Sequence, residues 1–320
     1  MKLMIQIPCY NEAETLPRVI ADLPRQAAGC DSVEFLVVDD GSTDGTSDVA
    51  RRLGVHHIVR LPRNRGLAHA FATGLDACLE RGADIIVNTD GDHQYPGAEV
   101  VSLIEPILAG RADMVIGDRR VDSIRHFSRI KKMLQRLGSL VVSWAAGVRI
   151  PDATSGFRAM SRETAARIVI FSGYTYTLET IIQAAKKGSV VVSVPIGTNE
   201  KLRESRLIRS VPRYIYRSAG TILRIFLMYE AMRVFLLLGL LPLLTGMVLI
   251  GRFGYFYLLG LGAGHIQSLV VASILIVVAI QTFLLGLVAD LIARNRHLSE
   301  EIFYRLRKQE LERLTGKLRP

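Results

Sequence analysis

Asp90-Gly91-Asp92 closes a hydrophobic run, Ile85-Ile86-Val87-Asn88, and is followed by His93-Gln94. Two carboxylates at i and i+2 beyond a buried strand can share a hard cation, Mg2+ or Mn2+, which would also hold two phosphate oxygens of a nucleotide diphosphate. Gly91 lets a ligand come close to the backbone between them. A D-x-D alone is often only a solvated turn; its place after a hydrophobic strand gives it weight. A second cluster, Asp39-Asp40-Gly41-Ser42-Thr43-Asp44-Gly45, invites comparison with a calcium loop. Counted from Asp40, its last liganding position is Arg51, where such a loop requires a bidentate Glu. The cluster reads instead as a strand-to-helix turn with Thr43 or Asp44 as helix N-cap. Asp40, at the strand end, can accept hydrogen bonds from a base or ribose. The third cluster is Pro8-Cys9-Tyr10-Asn11-Glu12. Tyr10 could stack on a base and Glu12 could accept from its edge or from the ribose; a plain turn and helix start explains the same residues.

These clusters need a scaffold that brings strand ends together. Strand-like segments fall at 3–7, 34–38, 57–61, 85–88, 113–117 and 190–194, with helix-length amphipathic stretches near 13–25, 44–53, 67–81 and 97–109. This alternation predicts an α/β fold with a mostly parallel sheet and helices on both faces. Ligands of such sheets sit at the carboxyl ends of the strands, where all three clusters fall.

The net charge of +10 is unevenly spread. Residues 201–233 carry eight Lys/Arg against two acids, and 294–320 carry eight against four. Those stretches account for the whole excess and leave the first 200 residues neutral, which argues against a nucleic-acid partner. They bracket two uncharged runs, 234–251 and 266–289, each about long enough to cross a bilayer core of ~30 Å. Basic residues flank the pair and are nearly absent from the turn between. By the positive-inside rule both ends are cytoplasmic, in an inner (plasma) membrane. Residues 207–231 have apolar positions at helical spacing with Arg between, the pattern of an interfacial helix or of one packed on the domain. Cys9, Cys30 and Cys78 have no metal-type spacing and read as ordinary thiols of a reducing compartment. The expected organisation is a catalytic domain over 1–200, basic juxtamembrane helices over 201–233, two membrane helices within 234–293, and a basic cytosolic helix over 294–320.

In order and spacing, Pro-x-Tyr-Asn-Glu (8–12), Val-Val-Asp-Asp-Gly-Ser-Thr-Asp (37–44), Asn-Arg-Gly (64–66) and Asp-x-Asp (90–92) resemble glycosyltransferase family 2, whose catalytic domain has the GT-A fold. Ile-Gly-Asp-Arg (116–119), Ser-Gly-Phe-Arg-Ala (155–159), Glu179 and Glu-Ser-Arg-Leu (204–207) resemble its dolichyl-phosphate mannose synthase branch and the bacterial polyprenyl-phosphate relatives. The apolar hairpin resembles the two-helix anchor of the bacterial members. The resemblance implies that Pro8, Tyr10, Asn11, Glu12 and Asp40 bind the donor's nucleoside, with Gly91 against the donor. It implies that Asp90, Asp92 and Gln94 hold Mg2+ or Mn2+. Arg119, Arg129, Lys131 and Lys132 would face the acceptor phosphate, and Arg203 and Arg206 would close over the diphosphate. Two departures bear on the donor sugar: Thr175 stands where mannose synthases place Lys, and His93 follows the second carboxylate.

The expected reaction joins a nucleotide-sugar (UDP- or GDP-linked) to polyprenyl phosphate, with inversion. A phosphate monoester is mostly dianionic at neutral pH, its second pKa being about 6, so no strong general base is needed. Positioning and stabilisation of the leaving diphosphate must do the work. Arg119, ending a strand on the same side as the acid pair, can grip a phosphate bidentately. Other acceptors, a diphospholipid-linked sugar or a protein, would need a base for a hydroxyl. A non-catalytic membrane scaffold disagrees with the intact Asp90, Asp92 and Arg119. A homo-oligomer is compatible with the sequence.

Overall fold

The computed structural model describes residues 1–120, 129–170, 176–199, 220 and 230–315. Two compact units emerge, one of residues 1–216 with 300–320, the other of residues 217–299.

In the first unit, β1 (Lys2–Cys9) is buried from its second residue onward, as a central strand covered on both faces must be. It pairs in parallel with β2 (Ser32–Asp39) on one side and β4 (Ile85–Asn88) on the other, and β3 (His57–Arg60) adds outside β2. Helices α1 (Leu16–Asp22), α2 (Thr46–Arg52), α3 (Leu67–Glu80) and α4 (Glu99–Leu108) follow these strands. Beyond β4 the sheet continues with β5 (Met114–Asp118), helix α5 (Arg129–Ala146), β6 (Arg158–Ser161), helices α6 (Arg162–Arg167) and α7 (Thr177–Lys186), and β7 (Val191–Pro195). The spatial order is β3-β2-β1-β4-β6-β5-β7, and β6 runs antiparallel to both neighbours. Strand β6 was not among the expected strands: four residues leading out of Ser-Gly-Phe-Arg are too short to show a period.

After β1 the chain winds to one side, through β2 and β3, and then crosses to β4. The switch between β1 and β4 opens a crevice at their carboxyl ends. One local expectation is corrected. The N-cap of α2 is Gly45, at φ +83°, and not Thr43 or Asp44. Gly45 takes the left-handed turn that enters the helix, while Asp44 Oδ1 accepts from the Thr46 amide at 3.0 Å.

Residues 300–315 of the last helix also belong to this unit. Arg307 donates to the carbonyls of Ala166 and Ile168, 3.3 and 3.1 Å away at the end of α6, and pairs with Asp76 of α3. A guanidinium there satisfies carbonyls that a helix end leaves open. Glu300, buried, pairs with Lys187 at 3.0 Å.

The second unit contains α8 (Ala231–Leu258), a short 3-10 turn (Gly262–His265) and the first part of α9 (Ile266–Thr315). The expected spans fall inside these helices. Both are long and apolar enough to cross a membrane, with mean hydropathy 2.5 and 2.6 over their best windows. They meet through small residues. A Cβ on Gly239 would lie 2.4 Å from the Phe283 ring, and one on Gly286 would lie 2.7 Å from Phe235. Ala272 and Ala279 are fully buried, while Leu237, Leu241 and Val248 stay exposed. Close packing through small residues with large apolar side chains turned outward is how helices pair in lipid.

Candidate active site

The loop after β1 is stitched to the loop after β2. Asn11, at φ +54°, donates its amide to Ser42 Oγ at 2.9 Å and accepts from the Thr43 amide through Oδ1 at 2.9 Å. The Glu12 amide reaches Thr46 Oγ1 at 3.0 Å, and the Ala13 amide reaches Asp44 Oδ2 at 3.0 Å. Asp39 is buried under this loop, accepting from the Ser42 amide at 2.7 Å and from the Ser47 hydroxyl. Asp40, also buried, takes the amides of Arg65 and Gly66 on its two oxygens, both at 2.8 Å. The carboxylate expected to meet the nucleoside therefore also fixes the entry to α3. Pro8 is buried, and Tyr10 is 40% exposed at the lip.

The loop after β4 leans on the β1 loop. The Thr15 hydroxyl lies 2.8 Å from Glu12 Oε2 and 2.7 Å from the Gly91 carbonyl. A Cβ on Gly91 would stand 3.0 Å from Cys9 Sγ and 3.2 Å from Glu12 Cγ, so glycine is what lets the two loops close. Asp92 Oδ1 accepts from the Gln94 amide at 3.1 Å. His93, at φ +60°, turns its ring toward Asp22, 3.6 Å away, and its carbonyl accepts from Asn199 Nδ2 at 3.1 Å. The Asn199 amide in turn reaches the Gln94 carbonyl at 3.0 Å. The left-handed turn at His93 is thus held from both ends of the domain's sequence.

Asp90 lies against the backbone of Gly156: a Cβ there would be 2.9 Å from both carboxylate oxygens. Burial and then the Asp92 charge push the Asp90 carboxyl up to about 7, opposed by the guanidinium groups of Arg119 and Arg158. Among the described residues no three His, Cys, Asp or Glu side chains cluster as a complete metal cage. A hard divalent ion does not require one. It keeps waters and takes phosphate oxygens, so two carboxylates that repel each other in a half-buried site fit it.

Arg119 is placed differently from what its sequence context suggests. Its fork is already filled: Nε lies 2.6 Å from Asp152 Oδ2, and Nη2 lies 2.9 Å from Asp152 Oδ1 and 2.8 Å from Thr154 Oγ1. Both partners of the pair are buried. Burial pushes Asp152 up, but the Arg119 guanidinium outweighs it and holds the carboxyl below its ordinary range. A bidentate grip on a phosphate by Nε and Nη2 would have to break this pair. Nη1 has no hydrogen bond among the described residues, so it is the donor left for a ligand.

Arg158, fully buried, has no carboxylate within salt-bridge range among the described residues. Its donors reach the Thr177 carbonyl at 3.0 Å, Thr180 Oγ1 at 2.6 Å and the Ser155 carbonyl, and it lies over the Tyr176 ring. Tyr176 stacks on Phe71 and accepts from Asn88 Nδ2 at 3.0 Å beneath the acid pair. Lys132 lies in the first turns of α5 and is half-buried. The side chains of Arg129 and Lys131, and Arg203 and Arg206 altogether, lie outside the described residues. So does nearly all of the 207–231 stretch.

Sequence reasoning missed Asp152, Thr154 and Tyr176. Asp152 follows a proline, a turn signal, and nothing in its spacing ties it to an arginine 33 residues earlier.

The sequence profile of glycosyl transferase family 2 matches residues 4–168, half of the chain. The chain belongs to glycosyltransferase family 2. It is similar to the polyprenol monophosphomannose synthase of Mycolicibacterium smegmatis, 33% identical over 62% of this chain and 78% of the relative. It is equally similar to the undecaprenyl-phosphate mannosyltransferase of Micrococcus luteus, 33% identical over 65% of this chain and 88% of the relative. Among solved structures, glucosyl-3-phosphoglycerate synthase of Mycobacterium tuberculosis, in complex with Mn2+, UDP and glucosyl-3-phosphoglycerate, superposes with a TM-score of 0.55. It is 22% identical and covers 69% of this chain and 79% of that one, a likeness of fold. The glycosyltransferase therefore has the GT-A-type domain its motifs imply, joined to two apolar helices.

Proposed function

We propose that this glycosyltransferase moves a sugar from a UDP- or GDP-linked donor to a polyprenyl phosphate, with inversion and with Mg2+ or Mn2+, at the cytosolic face of an inner membrane. The observation that carries the proposal is the acid pair Asp90–Asp92 at the β1/β4 switch point, with Arg119 within electrostatic reach, in a chain whose relatives are named for polyprenyl-phosphate mannosylation. The basic stretches on either side of the apolar hairpin support the orientation.

In this scheme the stitched loops after β1 and β2 form the nucleoside cradle, with Tyr10 at its lip and Glu12 and Asp40 fixed below. Asp90, Asp92 and Gln94 would hold the divalent ion. When bound, that ion supplies charge neutralisation for the departing nucleoside diphosphate. Gly91 and Gly156 keep side chains out of the space above the carboxylates. Arg119 orients the acceptor phosphate through Nη1 while Asp152 fixes the plane of its guanidinium. The phosphate oxygen is already an anion, so positioning replaces proton abstraction.

The deciding experiment incubates the purified full chain with a short-chain polyprenyl phosphate and a panel of UDP- and GDP-sugars, with Mg2+, Mn2+ or chelator. One donor should give a polyprenyl-phosphate sugar, lost on chelation. Turnover only with a diphospholipid-linked sugar or a protein acceptor would overturn the acceptor assignment. Undiminished transfer in chelator would remove the metal.

A further inference from the structure

Among the described residues, three that are not glycine take positive φ: Asn11 at +54°, His93 at +60° and Arg120 at +47°. Each follows a strand whose carboxyl end borders the site, β1, β4 and β5 in turn. A side chain in this left-handed region costs free energy and persists where its neighbours hold it there. Asn11 is held by Ser42 and Thr43, and the Arg120 amide by Asp118 Oδ1 at 2.8 Å. His93 stands between Asp92 and Gln94, and what holds it comes from beyond β7, the edge strand of the sheet. Asn199, four residues past the end of β7, donates Nδ2 to the His93 carbonyl at 3.1 Å, and the same nitrogen lies 3.4 Å from His93 Nδ1. Its backbone amide reaches the Gln94 carbonyl at 3.0 Å. On the other flank, His93 Nε2 lies 3.6 Å from Asp22 Oδ2, an oxygen that also accepts the Gly97 amide at 2.6 Å. The segment carrying Asn199 is itself fastened, the Gly197 amide to Glu99 Oε1 at 3.0 Å.

We propose that Asn199 is a positioning residue for the loop 90–94: it clamps the left-handed turn at His93 and thereby sets Asp92 and Gln94 for the divalent ion. The inference rests on the assignment of those two residues to the ion in the function proposed above. The clamp takes two consecutive carbonyls, those of His93 and Gln94, directly after Asp92. Inside the turn the Gln94 amide binds Asp92 Oδ1 at 3.1 Å, which fixes the carboxylate's rotation and leaves Oδ2 without a hydrogen bond among the described residues. If His93 relaxed to negative φ, the Gln94 amide would swing away from Oδ1 and the carboxylate would turn freely. Groups that orient a metal's ligands tune its affinity without touching it. Strain and clamp are of like size, since a left-handed residue other than glycine costs about what one hydrogen bond returns. Without Asn199 Nδ2 the turn loses that compensation. A side-chain amide also suits the place, because it donates to a carbonyl without setting a rival cation beside Asp90 and Asp92.

Mn2+ is the probe. It is titrated into the purified full chain in detergent with UDP or GDP present, and the EPR signal of free Mn2+ is compared with that of nucleotide alone. Asn199→Ala should weaken Mn2+ binding roughly 2- to 12-fold, one neutral hydrogen bond expressed as an affinity ratio. The Mn2+ requirement of sugar transfer should shift by the same factor, with kcat at saturating Mn2+ retained. Adding His93→Gly to Asn199→Ala should restore most of the lost affinity, because glycine takes φ +60° without strain. Unchanged Mn2+ affinity in Asn199→Ala would overturn the proposal, and a lowered Tm alongside it would make Asn199 a structural tie only. Weakened binding that His93→Gly does not restore would overturn it as well, since Asn199 would then not act through the turn. A wild type that binds no Mn2+ with either nucleotide would refute the metal assignment itself, and the role of the clamp with it.

Discussion

Replacing Arg119 by lysine keeps a cation at the end of β5 but removes the fork that Asp152 grips. The wild-type pair has two charge-assisted bonds, at 2.6 and 2.9 Å, with a third from Nη2 to Thr154 at 2.8 Å. An ammonium, with three donors, can keep two of these. Losing the third costs about 1.5–3 kcal/mol net, the range for one hydrogen bond to a charged group. Against a domain stability of about 5–15 kcal/mol the variant stays folded. At about 2–4 °C per kcal/mol for a domain of this size, its Tm should fall by roughly 3–12 °C. A thiol-reactive dye can follow unfolding in detergent, because Cys9 and Cys78 are buried until the domain opens. In transfer assays the same energy, now lost from the grip on the acceptor, lowers kcat/KM for polyprenyl phosphate by roughly 10- to 150-fold, with donor KM unchanged. Asp152→Asn makes the comparison sharper. It strands a buried guanidinium and should cost more, about 3–5 kcal/mol. Because Asp152 is held below its ordinary pKa, its stabilising contribution is present above about pH 4 and is lost as pH falls toward the folded-state value. The Tm gap between wild type and Asp152→Asn should therefore narrow in acid. An Arg119→Lys enzyme with wild-type Tm would show that the pair does not hold the β5 end. Lost donor affinity with normal acceptor dependence would move Arg119 to the donor side.

Other expected outcomes are narrower. Asp92→Asn should leave the fold intact and abolish metal-stimulated transfer, seen as a flat Mn2+ titration; a normal titration curve would remove Asp92 from the metal set. Gly97→Ala should be severely destabilising, by more than about 3 kcal/mol, because its Cβ would meet the Asp22 carbonyl oxygen at 2.2 Å, backbone against backbone. Gly110→Ala, at φ +66° with nothing within 4 Å, should cost only about 1–2 kcal/mol, and similar Tm losses for the two would contradict the packing at Gly97. Burial pushes the Cys78 thiol up to about 12 and Cys9 well above its ordinary value, whereas Cys30 is only half-buried. Alkylation of the native protein at pH 8 should therefore modify Cys30 first, and mass spectrometry finding Cys78 labelled at the same rate would refute the burial.

What the sequence by itself determined is local or periodic. The βαβ alternation predicted β1 to β5, β7 and α1 to α4 because each such element repeats its pattern over several residues. The clusters at 8–12, 39–45 and 90–92 were placed at strand ends because each directly follows its strand. The apolar runs were legible by length, which a bilayer fixes. What needed the tertiary structure is contact between segments far apart in the chain. Strand β6 is too short to announce itself, and only its pairing with β4 and β5 makes it a strand. Arg119 looked like an open phosphate fork until folding brought Asp152 onto it. Arg158, part of Ser-Gly-Phe-Arg-Ala in the sequence, is a buried cation held by carbonyls and a hydroxyl, which only folding shows. The outward stripe of α5, Met133, Leu137, Leu140 and Trp144, each half or more exposed, was hidden as well, since apolar spacing says that a helix has a face and not which way the face points. Direction is decided by what the rest of the chain packs against, and in α5 the domain took the small and polar side.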